Sequence, residues 1–304
     1  MRHLRSLYII RLLLIELSGG PGMATIRYLA AISLNPAELA SFYIDEIGMR
    51  ELGRSAEGDV SLTDGYFNLT LFRQRPDLIE LRKDLGLHHL GVQVDSIEET
   101  VARYRELTPY GMVLREPDSI HYGGVRIFDP ENNPISLSET GFGMETEERA
   151  LPRIGHVAVH MLQPQRTGDF YIALFGMREL RTTQLRRRQG KFNCFIGDGF
   201  TNLAMHPYYS NRNEAGFSEY DRIGHDGTDE SFEERRIGFH HFGFLMRNAS
   251  QKAEQLTAAG ANVADRPAIR PYAELRVVDP QGIPFDLSEN KGWEVDVDKW
   301  EQIT

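Results

Sequence analysis

A single cysteine, Cys194, is all that a chain of 304 residues offers, so an internal disulfide framework is excluded and a reducing, cytoplasmic setting is the expectation. Positive charge is also short: 34 Lys and Arg face 44 Asp and Glu, a formal net charge of −10 that repels phosphate backbones and anionic bilayers. Neither nucleic acid nor a membrane surface is an expected partner. The basic run LRRRQGK (185–191) lacks interleaved aromatics and reads as a solvated hairpin edge. Long apolar runs are missing too. RHLRSLYIIRLLLIEL near the start is broken by Arg11 and Glu16, so neither export nor membrane insertion is expected from it, and residues 1–23 are read as an appendage.

What is present is repetition. FYIDEIGMREL (42–52) answers to FYIALFGMREL (170–180), and three further segments match in the same order: IRYLAAISL with IGHVAVHML, GYFNLTLF with GFTNLAMH, and DPENNPISLSE with DPQGIPFDLSE. The chain is therefore read as two homologous halves, 24–144 and 151–293, joined by ETEERALPR and followed by a tail, 294–304. Each half divides again. Every unit opens with a short apolar strand, continues through a helix and closes with three strands bounded by Gly, Asn and Pro. The second half carries an insertion, residues 207–236, longer than its counterpart and expected to act as a lid, an arm or an excursion.

Period-two alternation then sorts the histidines of the opening strands. In GHVAVHM, Val157, Val159 and Met161 share one face and His156, Ala158 and His160 the other. In HHFGFLM, Phe242, Phe244 and Met246 form the apolar face with His240, while His241 and Gly243 face the opposite way. By the same rule His88 packs and His89 does not, and His225, inside the charged insertion, is solvated. Asn202 and His206 from TNLAMH, and Asp286 and Ser288 from PFDLSE, join the polar face, which makes a metal-site inventory. The Asp-Pro pairs at 129 and 279 are turn formers, and Cys194 is a small buried hydrophobe.

On GHVAVH (155–160), HHFGF (240–244), DPQGIPFD (279–286) and their first-half echoes, the chain resembles the vicinal oxygen chelate superfamily of glyoxalases, bleomycin-resistance proteins, epimerases and extradiol ring-cleaving dioxygenases, from about Ile26 to about Glu289. The resemblance implies an α+β fold of four βαβββ modules paired into two half-barrel cups. It also implies a metal set of His156, His241 and Asp286 for a divalent ion, Fe(II) first and Mn(II) as the alternative; His206, His160 and Tyr272 are the candidate catalytic residues that this sequence offers in place of the family's supporting His and Tyr. The implied activity is extradiol-type cleavage of a catechol-like small molecule.

Two alternatives stay open: a metal-dependent glyoxalase- or epimerase-like isomerase, and a metal-free small-molecule-binding protein of the bleomycin-resistance type. A homo-oligomer is compatible with each. The residues depart from the family pattern in three places. Asp286 stands where the family has Glu, which withdraws the carboxylate by roughly 1.5 Å; Glu289 is a substitute only if a bulge shifts the register. The family's supporting His and Tyr fall near Thr201 or Asn202 and near Arg276. In the first half Tyr28, Asn68, His89 and Ser136 occupy the equivalent positions, and no metal is expected there.

Overall fold

The computed structural model describes residues 24–75, 85–144, 150–188, 193–208, 237–265 and 273–289, together with Trp293 and Val295. Residues 1–23, His225 and most of the 207–236 insertion, Tyr272 and the tail beyond Val295 lie outside this set.

The first half contains β1 (Thr25–Ser33), α1 (Pro36–Phe42), β2 (Arg50–Arg54), β3 (Val60–Thr63), β4 (Asn68–Arg73), β5 (Gly86–Gln93), α2 (Ile97–Leu107), β6 (Leu114–Arg115), β7 (Val125–Phe128) and β8 (Pro134–Ser138). The second contains β9 (Arg153–Met161), α3 (Pro164–Phe175), β10 (Arg178–Glu179), α4 (Arg181–Arg188), β11 (Cys194–Gly197), β12 (Asn202–Pro207), β13 (Gly238–Leu245), α5 (Ala253–Ala258), β14 (Asn262–Asp265), β15 (Leu275–Val278) and β16 (Pro284–Ser288). Their orders, β2-β3-β4-β1-β5-β8-β7-β6 and β10-β11-β12-β9-β13-β16-β15-β14, are the same order written twice. Each sheet is a pair of βαβββ modules joined along their opening strands, and the two sheets form two half-barrel cups. The expected α+β architecture is the observed one.

One expected element differs. Arg181–Arg188 is a helix rather than a hairpin edge, in keeping with the helix propensity of arginine, leucine and glutamine.

Apart from the bulges in the central strands, the alternation that placed apolar residues on one face holds in both sheets. Leu29, Leu69 and Leu90 of the first half share one apolar core with Val157, Val159, Met161, Phe242 and Phe244 of the second. Reciprocal contacts lock the halves together. Asp64 accepts a hydrogen bond from the Ile154 amide at 2.6 Å, and Asp198 accepts one from the Ile26 amide at 2.5 Å. The Asp-Pro turns are turns, as expected, and each also reaches into the other half. Glu131 accepts from the amides of Leu162 and Gln163 at the start of α3, at 2.6 and 2.5 Å, where a carboxylate meets the positive end of the helix dipole. Tyr43 donates to Asp279 at 2.8 Å. Among the described residues no helix is long and apolar enough to cross a membrane.

Candidate functional site

The two opening strands of the second half, β9 and β13, run antiparallel down the centre of the sheet, flanked by β12 and β16. Parallel pairing sets Asn202 opposite His156 and His206 opposite His160. Asn202 Oδ1 lies 3.0 Å from His156 Nδ1. A carbonyl oxygen only accepts, so Nδ1 carries the proton, and the neutral form of this ring has its lone pair on Nε2.

The pairing of β13 with β9 slips between Phe239 and His241, leaving His240 as the extra residue of a bulge. A bulge resets strand parity, and this corrects the expectation that His240 packs into the apolar face. Its Nδ1 lies 2.8 Å from that of His241, and its ring is 4.3 Å from that of His160. The first half slips at the same place, and His88 and His89 are joined through Nδ1 at the same 2.8 Å.

His156, His241 and Asp286 come together on one side of the sheet, each no more than 4% exposed. The imidazole centroids stand 5.2 Å apart, and His241 Nε2 is 3.5 Å from Asp286 Oδ2. Asp286 is nevertheless committed elsewhere. Arg276, its register partner on β15 and only 1% exposed, takes both carboxylate oxygens, Nε bonding Oδ1 and Nη2 bonding Oδ2 at 3.1 Å. Among the described residues no three His, Cys, Asp or Glu side chains are grouped so that they could hold a metal ion. Bonded in this way the Asp286 carboxylate is neutralised, and the buried guanidinium repels a second cation beside it.

Two other expected participants stand apart from this centre. His160 and His206 lie four residues further along their strands from His156 and Asn202, with ring centroids 6.2 Å apart, and Asn193 holds His206 Nδ1 at 2.8 Å. Glu289 accepts from Ser250 Oγ at 3.1 Å and does not replace Asp286.

The sequence reading missed Trp293. Its indole stacks on His156, 4.8 Å between centroids and 5° from parallel, and covers Gly243, where an added Cβ would stand 2.4 Å from the ring. The first cup repeats this closure with Phe142 stacked on Tyr28 at 4.5 Å over Gly91. Its arginine, Arg126, pairs with Glu116 at 2.6 Å, and Ser136 donates to the same carboxylate. Burial pushes the His89 imidazole well below its ordinary pKa, so that ring is neutral. The repeat VRIFDP and LRVVDP displays both arginines in the sequence, and only the strand register shows what they meet.

The Glyoxalase/Bleomycin resistance protein/Dioxygenase superfamily profile matches residues 153–287. The second half is thus similar to this superfamily. No curated protein matches the chain. Solved structures of the superfamily fold do. The Mn(II)-bound glyoxalase from Novosphingobium aromaticivorans is 17% identical with a TM-score of 0.62, covering 91% of this chain and 85% of its own. The 2,3-dioxygenase LapB from Pseudomonas sp. KL28 is 13% identical with a TM-score of 0.60, covering 91% and 96%. Homoprotocatechuate 2,3-dioxygenase from Arthrobacter globiformis is 16% identical with a TM-score of 0.57, covering 88% and 81%. At these identities the superfamily likeness is one of fold.

Proposed function

We propose that the second cup binds a small organic molecule and that Arg276, rather than a resident metal, supplies its positive charge. The observation that carries this reading is the two-point bond from Arg276 to Asp286, which uses the one carboxylate that the resemblance assigns to a metal. Among the open alternatives, the geometry favours the metal-free binding protein. A molecule with oxygen acceptors would meet Arg276, His156 and His241, and the Trp293 indole offers an apolar face for its carbon skeleton.

A second reading is favoured by one observation. Asn202 and His240 engage the Nδ1 atoms of His156 and His241, as supporting residues do for imidazoles that bind metals through Nε2. With an ion held by His156, His241 and Asp286, the chain would be an extradiol-type dioxygenase, and the ion would supply an open coordination position for oxygen and substrate. The superfamily includes such enzymes, and the Mn(II)-bound glyoxalase is a metal-bound relative by fold.

One preparation separates the readings. Protein purified without chelator is analysed for metal, then treated anaerobically with Fe(II) or Mn(II) and assayed in air on a panel of catechols. In parallel, small aromatic acids are titrated while Trp fluorescence is followed. The first reading expects substoichiometric metal before and after treatment, no ring-cleavage absorbance, and a saturable fluorescence change. Stoichiometric metal with ring-cleavage absorbance would replace it with the second.

A further inference from the structure

Between β6 and β7 the segment Ser119–Tyr122 crosses the first cup as a strap, held there as a bound peptide would be. Two successive carbonyls are gripped. Tyr28 Oη donates to the oxygen of His121 at 2.7 Å, and Asn68 Nδ2 donates to the oxygens of Ile120 and Phe142 at 2.8 and 2.9 Å. The Ile120 side chain sits over two glycines: a Cβ added to Gly53 or to Gly143 would stand 2.9 or 2.7 Å from it. Gly53 is not at positive φ, so its missing side chain serves the isoleucine and not the backbone.

Hydrogen-bond polarity is fixed around this contact. Both partners of Asn68 Nδ2 are carbonyls, which sets the amide orientation and leaves Oδ1 to accept from Thr70 Oγ1 at 2.8 Å. With the Thr70 proton committed, Ser61 donates the 2.6 Å bond between the two hydroxyls. Ser61 in turn accepts from His121 Nδ1 at 2.8 Å. The series of donors leaves the strap at His121 and returns to it at Ile120, through three side chains that are 0% exposed.

The second half lacks the means to hold such a strap. By the matched registers His156, Phe195 and Ala204 stand at the places of Tyr28, Ser61 and Thr70, while Asn202 keeps its type but turns Oδ1 to His156. The shared scaffold therefore does not require these donors. Behind the strap one polar group stays unmatched. His89 is 0% exposed and has Nδ1 against His88, and its Nε2 has no hydrogen-bond partner among the described residues. Its ring lies 5.3 Å from that of Tyr28 and 6.0 Å from that of Phe72. A buried nitrogen left in this way marks a place for a polar group that the chain does not supply.

We propose that the first cup is a second small-molecule site, for a neutral carboxamide with an aliphatic branch, which Ser119–Tyr122 occupies as an internal ligand until it lifts. Tyr28 and Asn68 donate to the carbonyl oxygens of the incoming molecule, the seat over Gly53 and Gly143 takes the branch, and His89 Nε2 meets a further polar group. Charged groups beside the strap are already paired, Arg75 with Asp59 and Arg126 with Glu116, so the site does not call for a charged ligand. This site is separate from the second cup and does not depend on what that cup binds.

The test uses the full-length protein and N-acetyl-isoleucyl-histidine amide, a probe that carries the strap's own carbonyls and side chains. The double variant Ile120→Gly/His121→Gly vacates the glycine seat and breaks the bond to Ser61 without altering the cup. NMR titration of this variant is expected to give saturable shifts at the Asn68 side-chain amide and the His89 ring, and none at His241. The native protein is expected to bind the probe roughly tenfold or more weakly, because its strap competes. Equal binding by the two proteins, or no shift at Asn68 and His89 in the variant, overturns the proposal. Ser61→Ala keeps the strap sequence and guards against misfolding of the double variant. In it, hydrogen exchange at the Tyr122 amide, bonded to Ser119 O at 3.3 Å in the native protein, is expected to quicken about tenfold while the β8 amides are unchanged. Unaltered exchange at Tyr122 would show that the buried donors do not hold the strap down, and would overturn the proposal as well.

Discussion

Arg126 and Arg276 occupy one place in two sheets, each opposite the closing-strand residue of its cup, Ser136 for the first and Asp286 for the second. Both are buried and both are matched by one carboxylate, from Glu116 in the first case and from the facing strand in the second. Breaking a buried pair leaves an uncompensated charge, at a cost of about 3–5 kcal/mol, while removing both members costs far less. Arg276→Met and Asp286→Leu are therefore each expected to destabilise the fold by that amount in urea unfolding, and the double variant is expected to recover most of the loss. Additive losses would show that the two side chains are not coupled.

The same pair yields a prediction about metal. In Arg276→Met the carboxylate of Asp286 is released from its cation while His156 and His241 keep their supports. Mn(II) is expected to raise the melting temperature of this variant and not that of the native protein, since a ligand stabilises only the state it binds. An equal rise in the native protein would mean that Arg276 already yields to the ion. No rise in either would place the block elsewhere than in the guanidinium.

Much of this architecture is legible in the sequence because duplication prints it twice. Four matched segments give the halves, and a strand-helix-three-strand rhythm gives the modules. Alternation brings His156, His241 and Asp286 to one side. The reading failed where a single residue changes parity: His240 looks like a packing residue until the bulge is seen, since an inserted residue leaves no trace in a period of two. It failed again at Arg276, noted only as a departure from the family pattern, because a cross-strand ion pair depends on register and not on spacing along the chain. Trp293 lies beyond the last strand, where no repeat marks it.

Stability is expected to fall as the pH rises through the mildly acidic range. Burial raises the carboxyl groups of Asp129 and Asp198 from 3.8 to about 6, outweighing the backbone amides that favour their ionised forms. In the folded state they keep their protons after the unfolded chain has lost its own. Their contribution is thus complete below about pH 4 and is lost as the pH rises through about 6, by roughly 3 kcal/mol for each group. Asp198→Asn cannot ionise. The stability advantage of the native protein over this variant, measured by urea unfolding, should shrink by about that amount between pH 4 and pH 7. A constant or growing advantage would mean that the amides of Ile26, Phe200 and Thr201 hold Asp198 ionised throughout.

Gly243 is required by what lies over it, not by its backbone, because its φ is not among the positive values found at other glycines. An alanine can take this conformation, but its methyl carbon would stand 2.4 Å from the Trp293 ring, so the indole must move off His156. Overpacking of this kind costs about 1–3 kcal/mol. Gly243→Ala should therefore lower stability within that range and shift Trp emission to the red as Trp293, only 7% exposed in the native protein, meets water. The contact is isolated by repeating the substitution in a Trp293→Leu background, where the methyl has room. There Gly243→Ala should cost little, leaving a coupling energy close to its cost alone. Equal costs in the two backgrounds would show that Trp293 does not close the cup over His156, and the apolar face assigned to the bound molecule would have to come from another residue.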